Sequence, residues 1–253
     1  MAIIETLLDE LGSLDAPVRE VRLCLRTCAV WSRRLGLAYS FPRDPSSHGD
    51  GDPIHRPAPA EPAPAAAPHP QRLRDCSARR LAELARSADR EQAAVGIAAI
   101  NSLIEPPPAL SDEHALDVIL RYGRARDIVL VGHFPFIDRL RAQARALTVL
   151  ELLPREGDLP AAEAPRVIPA ADVVAITATT LINHTLEGLL DLARGKPVIL
   201  LGPTAPLTPA LLAHGITAVC GSVVVEPEET LRDVSEGVSF RRMRGLRRVV
   251  LER

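Results

Sequence analysis

His133 directly follows the apolar run Ile128-Val-Leu-Val131 and the single glycine Gly132, and it precedes Phe134-Pro135. An imidazole at such a turn could serve as a general acid–base or as a metal ligand. It could equally be hydrogen-bonded into the turn itself. Thr177, Thr179, Thr180, Asn183 and Thr185 form a second group, rich in hydroxyls and amides. Such groups bind phosphate or carboxylate oxygens, and they also cap helices. Glu151 stands 19 positions after Gly132, about where nicotinamide enzymes carry their ribose-binding acid. The GxGxxG pattern is absent, however, and Phe134-Pro135 fills the place where a pyrophosphate would approach. A nicotinamide-dependent oxidoreductase therefore rests on Glu151 alone, and an adenosylmethionine-type or other nucleotide site has the same support. His184 reads as a solvated helix start, Cys220 as a small core residue, and His214 as a mildly stabilising cation at a helix end. Glu156 and Asp158 read as a solvated turn or an acid pair. No Ser-His-Asp order, Walker loop, zincin motif or paired-carboxylate signature is present.

These residues need elements to hold them, and from Asp127 onward the pattern is strand, turn, helix, repeated. Short apolar runs at 128–131, 148–152, 172–177, 197–201 and 216–220 read as strands buried on both faces of a parallel sheet. Alternating strands and helices give right-handed crossovers and a doubly wound, Rossmann-like α/β sheet. Ligands of such sheets lie beyond the carboxyl ends of the strands, where strand order reverses. That rule selects the loops Gly132-His133-Phe134, 177–183 and 202–206. Each is expected to lead into a helix whose free N–H groups favour an anion. Pro135 is expected at the first position of one helix, and Asn183 as the cap of another over 184–194. Residues 238–251 read as a final hairpin or edge strands.

The first half is expected to form a small α+β unit from 1–41 and 72–123, with the Rossmann-like unit spanning 124–253. Apolar residues at helical spacing predict a helix over 2–12 that ends near Gly12. Alternation predicts one strand over 18–30 and a second over 35–41, joined by Ser32-Arg33-Arg34. The Ala/Pro-rich run 42–71 cannot form a helix or a ladder and reads as a disordered insertion. Its His48, His55 and His69 read as solvated, with a weak metal-binding tract as the alternative. Ser77 and Asp89 are expected to cap two helices, with Gln92 completing a capping box at the second. That second helix, 93–104, is apolar nearly all round, and Gly96 is expected to permit close packing. A further helix should run from Ser111 to Gly123.

Composition excludes several classes. The net charge is −2 and the pI about 6.4, without the basic excess of a general nucleic-acid binder. The arginines at 241, 242, 244, 247 and 248 read as a solvated face. No apolar run approaches the ~20 residues that span a bilayer, and no signal-peptide pattern opens the chain. Four cysteines without a CxxC pair fit free thiols in a reducing, cytoplasmic setting. The expected partner is a small molecule rather than nucleic acid or membrane. Self-association through 93–104 is an open alternative to burial of that helix.

Five strings occur in order: Ala94-Val-Gly-Ile-Ala-Ala-Ile-Asn101, Val131-Gly-His-Phe-Pro135, Leu150-Glu-Leu-Leu-Pro-Arg-Glu-Gly-Asp-Leu-Pro160, Ala171-Asp-Val-Val-Ala-Ile-Thr177 and Leu201-Gly-Pro-Thr-Ala-Pro-Leu207. As a set they resemble the "putative heavy-metal chelation" domain family, catalogued as a domain of unknown function. The match runs from about 75 to 225. Residues 1–41 are similar, more weakly, to the family's companion domain with an enolase-N-terminal-like fold. The resemblance implies a Rossmann-like domain, a site in the cleft between the two domains, and work on a small metal-chelating molecule. The cofactor it implies is a heavy-metal ion or a metal chelate. The cleft residues it implies are Asn101, Gly132, His133, Phe134, Glu151, Thr177, Asn183, Gly202, Pro203 and Thr204, to which the hydroxyl patch adds Thr180. The expected function is binding or processing of a small anionic chelating or heterocyclic molecule, with His133 as the acid–base. A non-catalytic sensor or carrier of a metal chelate is the alternative.

Overall fold

Helix α1 (Ile3–Leu11) turns Ile3, Ile4, Leu7, Leu8 and Leu11 into one buried stripe and stops at Gly12, whose φ is +51°. The structure is a computed structural model that describes residues 2–41 and 72–252. The insertion at 42–71 and its three histidines lie outside the described residues.

The expected single strand over 18–30 is two strands. β1 (Glu20–Leu23) and β2 (Thr27–Trp31) pair antiparallel, with Leu23 opposite Cys28. Between them the Cys24 N–H donates to the Thr27 carbonyl at 3.3 Å. Alternation survives such a tight reversal, so the side-chain period gave no sign of it. β3 (Leu35–Tyr39) pairs with β2 through the expected hairpin, with Trp31 opposite Leu35. The small sheet has the order β1-β2-β3.

Helix α2 (Ala78–Ala82) is capped by Ser77, which accepts from the Arg80 N–H. A 3₁₀ turn, Glu83–Arg86, follows it. Helix α3 (Arg90–Leu103) is buried along almost its whole length. Asp89 caps it by accepting from Glu91 and Gln92. The second half of the expected capping box is rerouted: the Asp89 N–H donates to Ser87 Oγ, and Ser87 Oγ donates to Gln92 Oε1. Two glycines let other backbones touch α3. A Cβ at Gly96 would stand 2.0 Å from the Ala85 nitrogen, and one at Gly36 in β3 would stand 2.1 Å from the Ala98 oxygen. The helix is core, packed between the small sheet and α2.

Helix α4 (Ala115–Gly123) starts later than expected because His114 is its cap, Nδ1 accepting from the Leu116 N–H at 3.1 Å. Beyond it lie β4 (Asp127–Val131), α5 (Ile137–Arg141), β5 (Ala146–Glu151), β6 (Leu159–Pro160), α6 (Ala164–Val167), β7 (Val173–Thr177), α7 (Leu186–Leu192), β8 (Val198–Leu201), α8 (Pro209–Ala213), β9 (Ala218–Val224), α9 (Pro227–Ser235) and β10 (Leu246–Glu252). The sheet order is β10-β9-β8-β7-β4-β5-β6. All pairs are parallel except β9–β10. From β4 the chain builds outward through β5 to β6, then returns to β7 on the other side. The order therefore reverses between β4 and β7, as a doubly wound sheet requires. The long outer edge, β10, is bridged at Val250 by Ser111. Of the two forms expected over 238–251, a final hairpin or edge strands, the structure has an edge strand, β10, and helix α9 lies ahead of that range.

One buried acid locks that last connection. Asp233 is 1% exposed and accepts from the Arg244 N–H at 2.7 Å and from Arg244 Nη2 at 2.8 Å. The Arg244 side chain, and after it the Arg244 backbone N–H, hold its carboxyl below the usual carboxylate range. A pKa depressed on folding contributes stability above the unfolded value, near 4, and loses it as pH falls through the folded value. We expect Asp233→Asn to unfold at a lower temperature than wild type at pH 7. The difference should shrink below about pH 4, and thermal melts from pH 7 to pH 2.5 check this; a gap independent of pH would contradict it.

Candidate functional site

The register of the large sheet places four chain positions in one row at its carboxyl edge. Val131 lies opposite both Leu150 and Ile176, and Thr177 lies opposite Leu201. The next row up is therefore Glu151, Gly132, Thr177 and Leu201. Neighbouring strands are about 4.8 Å apart, so Glu151 and Thr177 flank Gly132 at a separation of roughly 10 Å. Gly132 has φ +101°, and a Cβ there would meet Thr177 at 3.0 Å and the Phe134 ring at 3.3 Å. Only glycine lets the chain turn at this point.

Above the row lies a cavity of about 850 Å³, within the range of small-molecule sites. His133, Gly132, Phe134, Glu151, Thr177, Thr180, Asn183, Gly202, Pro203 and Thr204 all line it. Asn101 does not. Its Nδ2 donates to the carbonyls of Leu37 at 2.9 Å and Thr204 at 3.2 Å, tying α3 to β3 and to the loop after β8. Thr204 extends the tie by accepting from the Tyr39 N–H at 2.9 Å. Asn101 braces the wall rather than facing a ligand.

The hydroxyl patch is largely occupied with its own loop. Thr177 Oγ1 accepts from the Thr179 N–H, and Thr180 Oγ1 donates to the Thr177 carbonyl at 2.6 Å. Asn183 does not cap a helix at 184. His184 takes a left-handed conformation, φ +57°, so α7 begins at Leu186. Asn183 Oδ1 instead accepts from the N–H and hydroxyl of Thr185, while His184 Nε2 bonds the Ser87 carbonyl at 2.8 Å. Pro135 likewise sits in the turn rather than in α5, which starts at Ile137. The three loops lead into helices of five, seven and five residues. Such short helices carry weak end charges, so the expected helix-end anion sites are not what the cleft offers.

The cleft instead has walls that no local signal indicated. Tyr39 and Phe41 reach it from the small sheet, Arg90 from the first turn of α3, and Phe240 from the connection after α9. Tyr39 and Phe41 meet edge to face at 5.1 Å, and the Arg90 guanidinium lies 5.3 Å over the Phe41 ring. Phe134 stacks on Phe136 at 5.4 Å. The chain has seven aromatic residues, four Phe, two Tyr and one Trp; Tyr39, Phe41, Phe134 and Phe240 line this one cavity. Scarcity of aromatics along the chain was the one clue that could have found them.

Fold and cavity together define a Rossmann-like α/β protein whose cleft is walled on one side by a small antiparallel sheet and its helix. The chain belongs to the DUF364 family, described as "Putative heavy-metal chelation", whose model matches residues 114–253. The DUF4213 model, with the same description, matches residues 4–104. An uncharacterized protein of Methanocaldococcus jannaschii is 31% identical over 157 residues, which are 58% of this chain and 61% of that protein's length. A DUF364 protein of unknown function from Desulfitobacterium hafniense has the same fold, with TM-score 0.81, 23% identity, and coverage of 99% of this chain and 98% of that one. Its counterpart from Pyrococcus horikoshii gives 0.75 and 18%, with the same coverage.

The family description raises the question of a metal. Among the described residues no group of three or more His, Cys, Asp or Glu side chains is placed to hold an ion. The nitrogen and carboxylate donors at the cleft, His133, His184 and Glu151, form no such group. A protein-ligated ion needs three or four donors in a fixed geometry, and these residues do not fit one. Cys28 and Cys220 are no substitute. Both are buried, and burial pushes the Cys220 thiol up to about 12 and the Cys28 thiol further. Among the described residues no helix is long and apolar enough to cross a membrane.

Proposed function

We propose that the cleft binds a small, flat, anionic molecule of the metal-chelating or heterocyclic class, and that any metal enters on that molecule's own donors. The observation that carries this reading is the gathering of four of seven aromatic side chains around one cavity, beside Arg90. Aromatic walls reward a planar ligand with offset or edge-to-face contacts, each worth about 0.5–1.5 kcal/mol. Arg90 supplies the planar fork of donors that matches a carboxylate. Among the described residues its guanidinium has no ion pair and rests on Phe41. His133, exposed at the cleft mouth, is positioned to donate to or accept a proton from the ligand. Asn183 and the Thr177 hydroxyl add neutral donors.

The test is isothermal titration with pyridine-2,6-dicarboxylate, alone and as its zinc and nickel complexes. Arg90→Ala should weaken binding at least tenfold, since a charge-assisted hydrogen bond contributes about 1.5–3 kcal/mol. His133→Ala and Asn183→Ala should each weaken it less. Unchanged affinity in all three variants would remove this site from consideration. Steady conversion of the bound chelate by wild type, lost in His133→Ala, would mark the protein as an enzyme rather than a carrier.

A further inference from the structure

The cavity is larger than the molecule that its Arg90 end would hold. At about 850 Å³ it lies high in the range of sites for drug-sized ligands, roughly 300–1,000 Å³. The Arg90 end is tied to the loop after β8, where Thr204 accepts from the Tyr39 N–H. β5, at the other end, stands three strand spacings from β8 in the sheet order, roughly 14 Å. One ring with its carboxylates does not cover that span.

The far end has a different chemistry. Leu152, Leu153, Ala161 and Pro165 line it from the segments after β5, and Leu189 and Leu192 line it from α7, against which α6 packs. None of these side chains carries a polar atom. They reward hydrocarbon by the area removed from water, and they offer nothing to a sugar or a phosphate.

α7 presents one face to this space. Thr185, Gly188, Leu189 and Leu192 have the i, i+3, i+4, i+7 spacing of one side of a helix, and all of them line the cavity. Gly188 has no use in the fold. A Cβ there would meet nothing within 4 Å, whereas one at Gly96 would strike backbone. Its φ is not positive either. Glycine within a helix is less stable than alanine, so what Gly188 gives in return is the room above it.

We propose that the flat anionic molecule carries an aliphatic arm, which lies between α6 and α7, over Gly188 and against the leucines of the β5 end. This rests on the chelate reading of the Arg90 end and narrows it: the ligand is an amphipathic chelator with a charged planar head and a hydrocarbon arm.

Isothermal titration of the full chain compares pyridine-2,6-dicarboxylate with 4-butylpyridine-2,6-dicarboxylate, whose arm points away from both carboxylates. A buried methylene is worth about fourfold in affinity, so the butyl compound should bind wild type at least twentyfold more tightly. Gly188→Leu, which fills the room over the glycine, should cut that advantage to about threefold or less and leave the unsubstituted compound within twofold. Arg90→Ala should weaken both compounds and preserve their ratio. Gly188→Ala should melt roughly 1–4 °C above wild type while binding the butyl compound at least threefold more weakly, a pairing that a purely structural glycine would not give. No advantage for the butyl arm in wild type, or an advantage that survives Gly188→Leu, would overturn the inference; the chelate reading would stand as long as the unsubstituted compound binds through Arg90. Binding of neither compound would overturn the chelate reading and this one with it. A Gly188→Ala protein that melts below wild type would show that the fold itself needs the glycine, and would also overturn the inference. If Gly188→Leu does not fold, Gly188→Ala decides alone.

Discussion

Gly96→Ala is expected to melt well below the wild-type protein, by roughly 10 °C. Two effects oppose each other at this position. Alanine in a helix interior is better than glycine by about 1 kcal/mol, because it restricts the unfolded chain. Against that, the new Cβ would lie 2.0 Å from the Ala85 nitrogen, 2.5 Å from its Cα and 2.6 Å from the Leu84 carbonyl carbon. All three are backbone atoms, so no rotamer change relieves the clash. The 3₁₀ turn and α3 must separate by more than 1 Å across a contact between fully buried residues. Overpacking costs about 1–3 kcal/mol where side chains can give and more where they cannot, so about 4 kcal/mol is expected here. The net loss near 3 kcal/mol corresponds to roughly 6–12 °C for a chain of this size. Differential scanning calorimetry checks it, and a midpoint equal to or above wild type would show that the 3₁₀ turn and α3 are less tightly apposed.

Gly36→Ala is expected to be at least as damaging, and to reach the cleft. Gly36 sits in β3 opposite Val30, where alanine is ordinarily tolerated. Its Cβ, however, would stand 2.1 Å from the Ala98 oxygen, 2.4 Å from the Ser102 nitrogen and 2.8 Å from the Asn101 carbonyl carbon. The Ala98 oxygen and the Ser102 nitrogen are the two ends of one i,i+4 hydrogen bond of α3. β3 must therefore lift off the helix. Asn101 is the tie between them, through the Leu37 and Thr204 carbonyls, and Thr204 in turn holds Tyr39. Displacing β3 moves Tyr39 on one wall and Thr204 on the other. The variant should lose about 3 kcal/mol or more of stability. Below its melting temperature it should still bind pyridine-2,6-dicarboxylate at least fivefold more weakly than wild type. Binding at wild-type strength by the folded variant would separate the brace from the site.

These two glycines show unequal legibility. Gly96 in an otherwise apolar helix reads as a close contact, because glycine there carries a conformational cost that packing must offset. Gly36 in a strand carries no such flag, since its φ is ordinary and its partner helix lies some sixty residues on. The large sheet was readable because its strands are short apolar runs punctuated by Gly and Pro, and the reversal point followed from counting them. The β1–β2 turn was not, because Cys24-Leu25-Arg26 lacks turn residues and alternation persists through it. Helix α9 was not foreseen, since its acidic composition gives little apolar stripe beyond Leu231 and Val234. At the cleft, loop positions followed from topology, so most candidate residues fell on its wall. Tyr39, Phe41, Arg90 and Phe240 come from three distant stretches, and only the folded chain brings them to one place. Asn101 belonged to a recognisable string yet serves as a brace, which a string of letters does not distinguish from a contact.

The borders of the large sheet bear on how the protein behaves at high concentration. Strand β6 has two residues, the second of them Pro160, which cannot donate to an incoming chain. At the opposite border β10 exposes Arg247 and Arg248, and Ser111 already occupies the main chain at Val250. Short length, proline, charge and a covering segment are the devices that keep sheets from recruiting further strands. The apolar seven-stranded sheet is thereby guarded at both of its ends against amyloid-like growth.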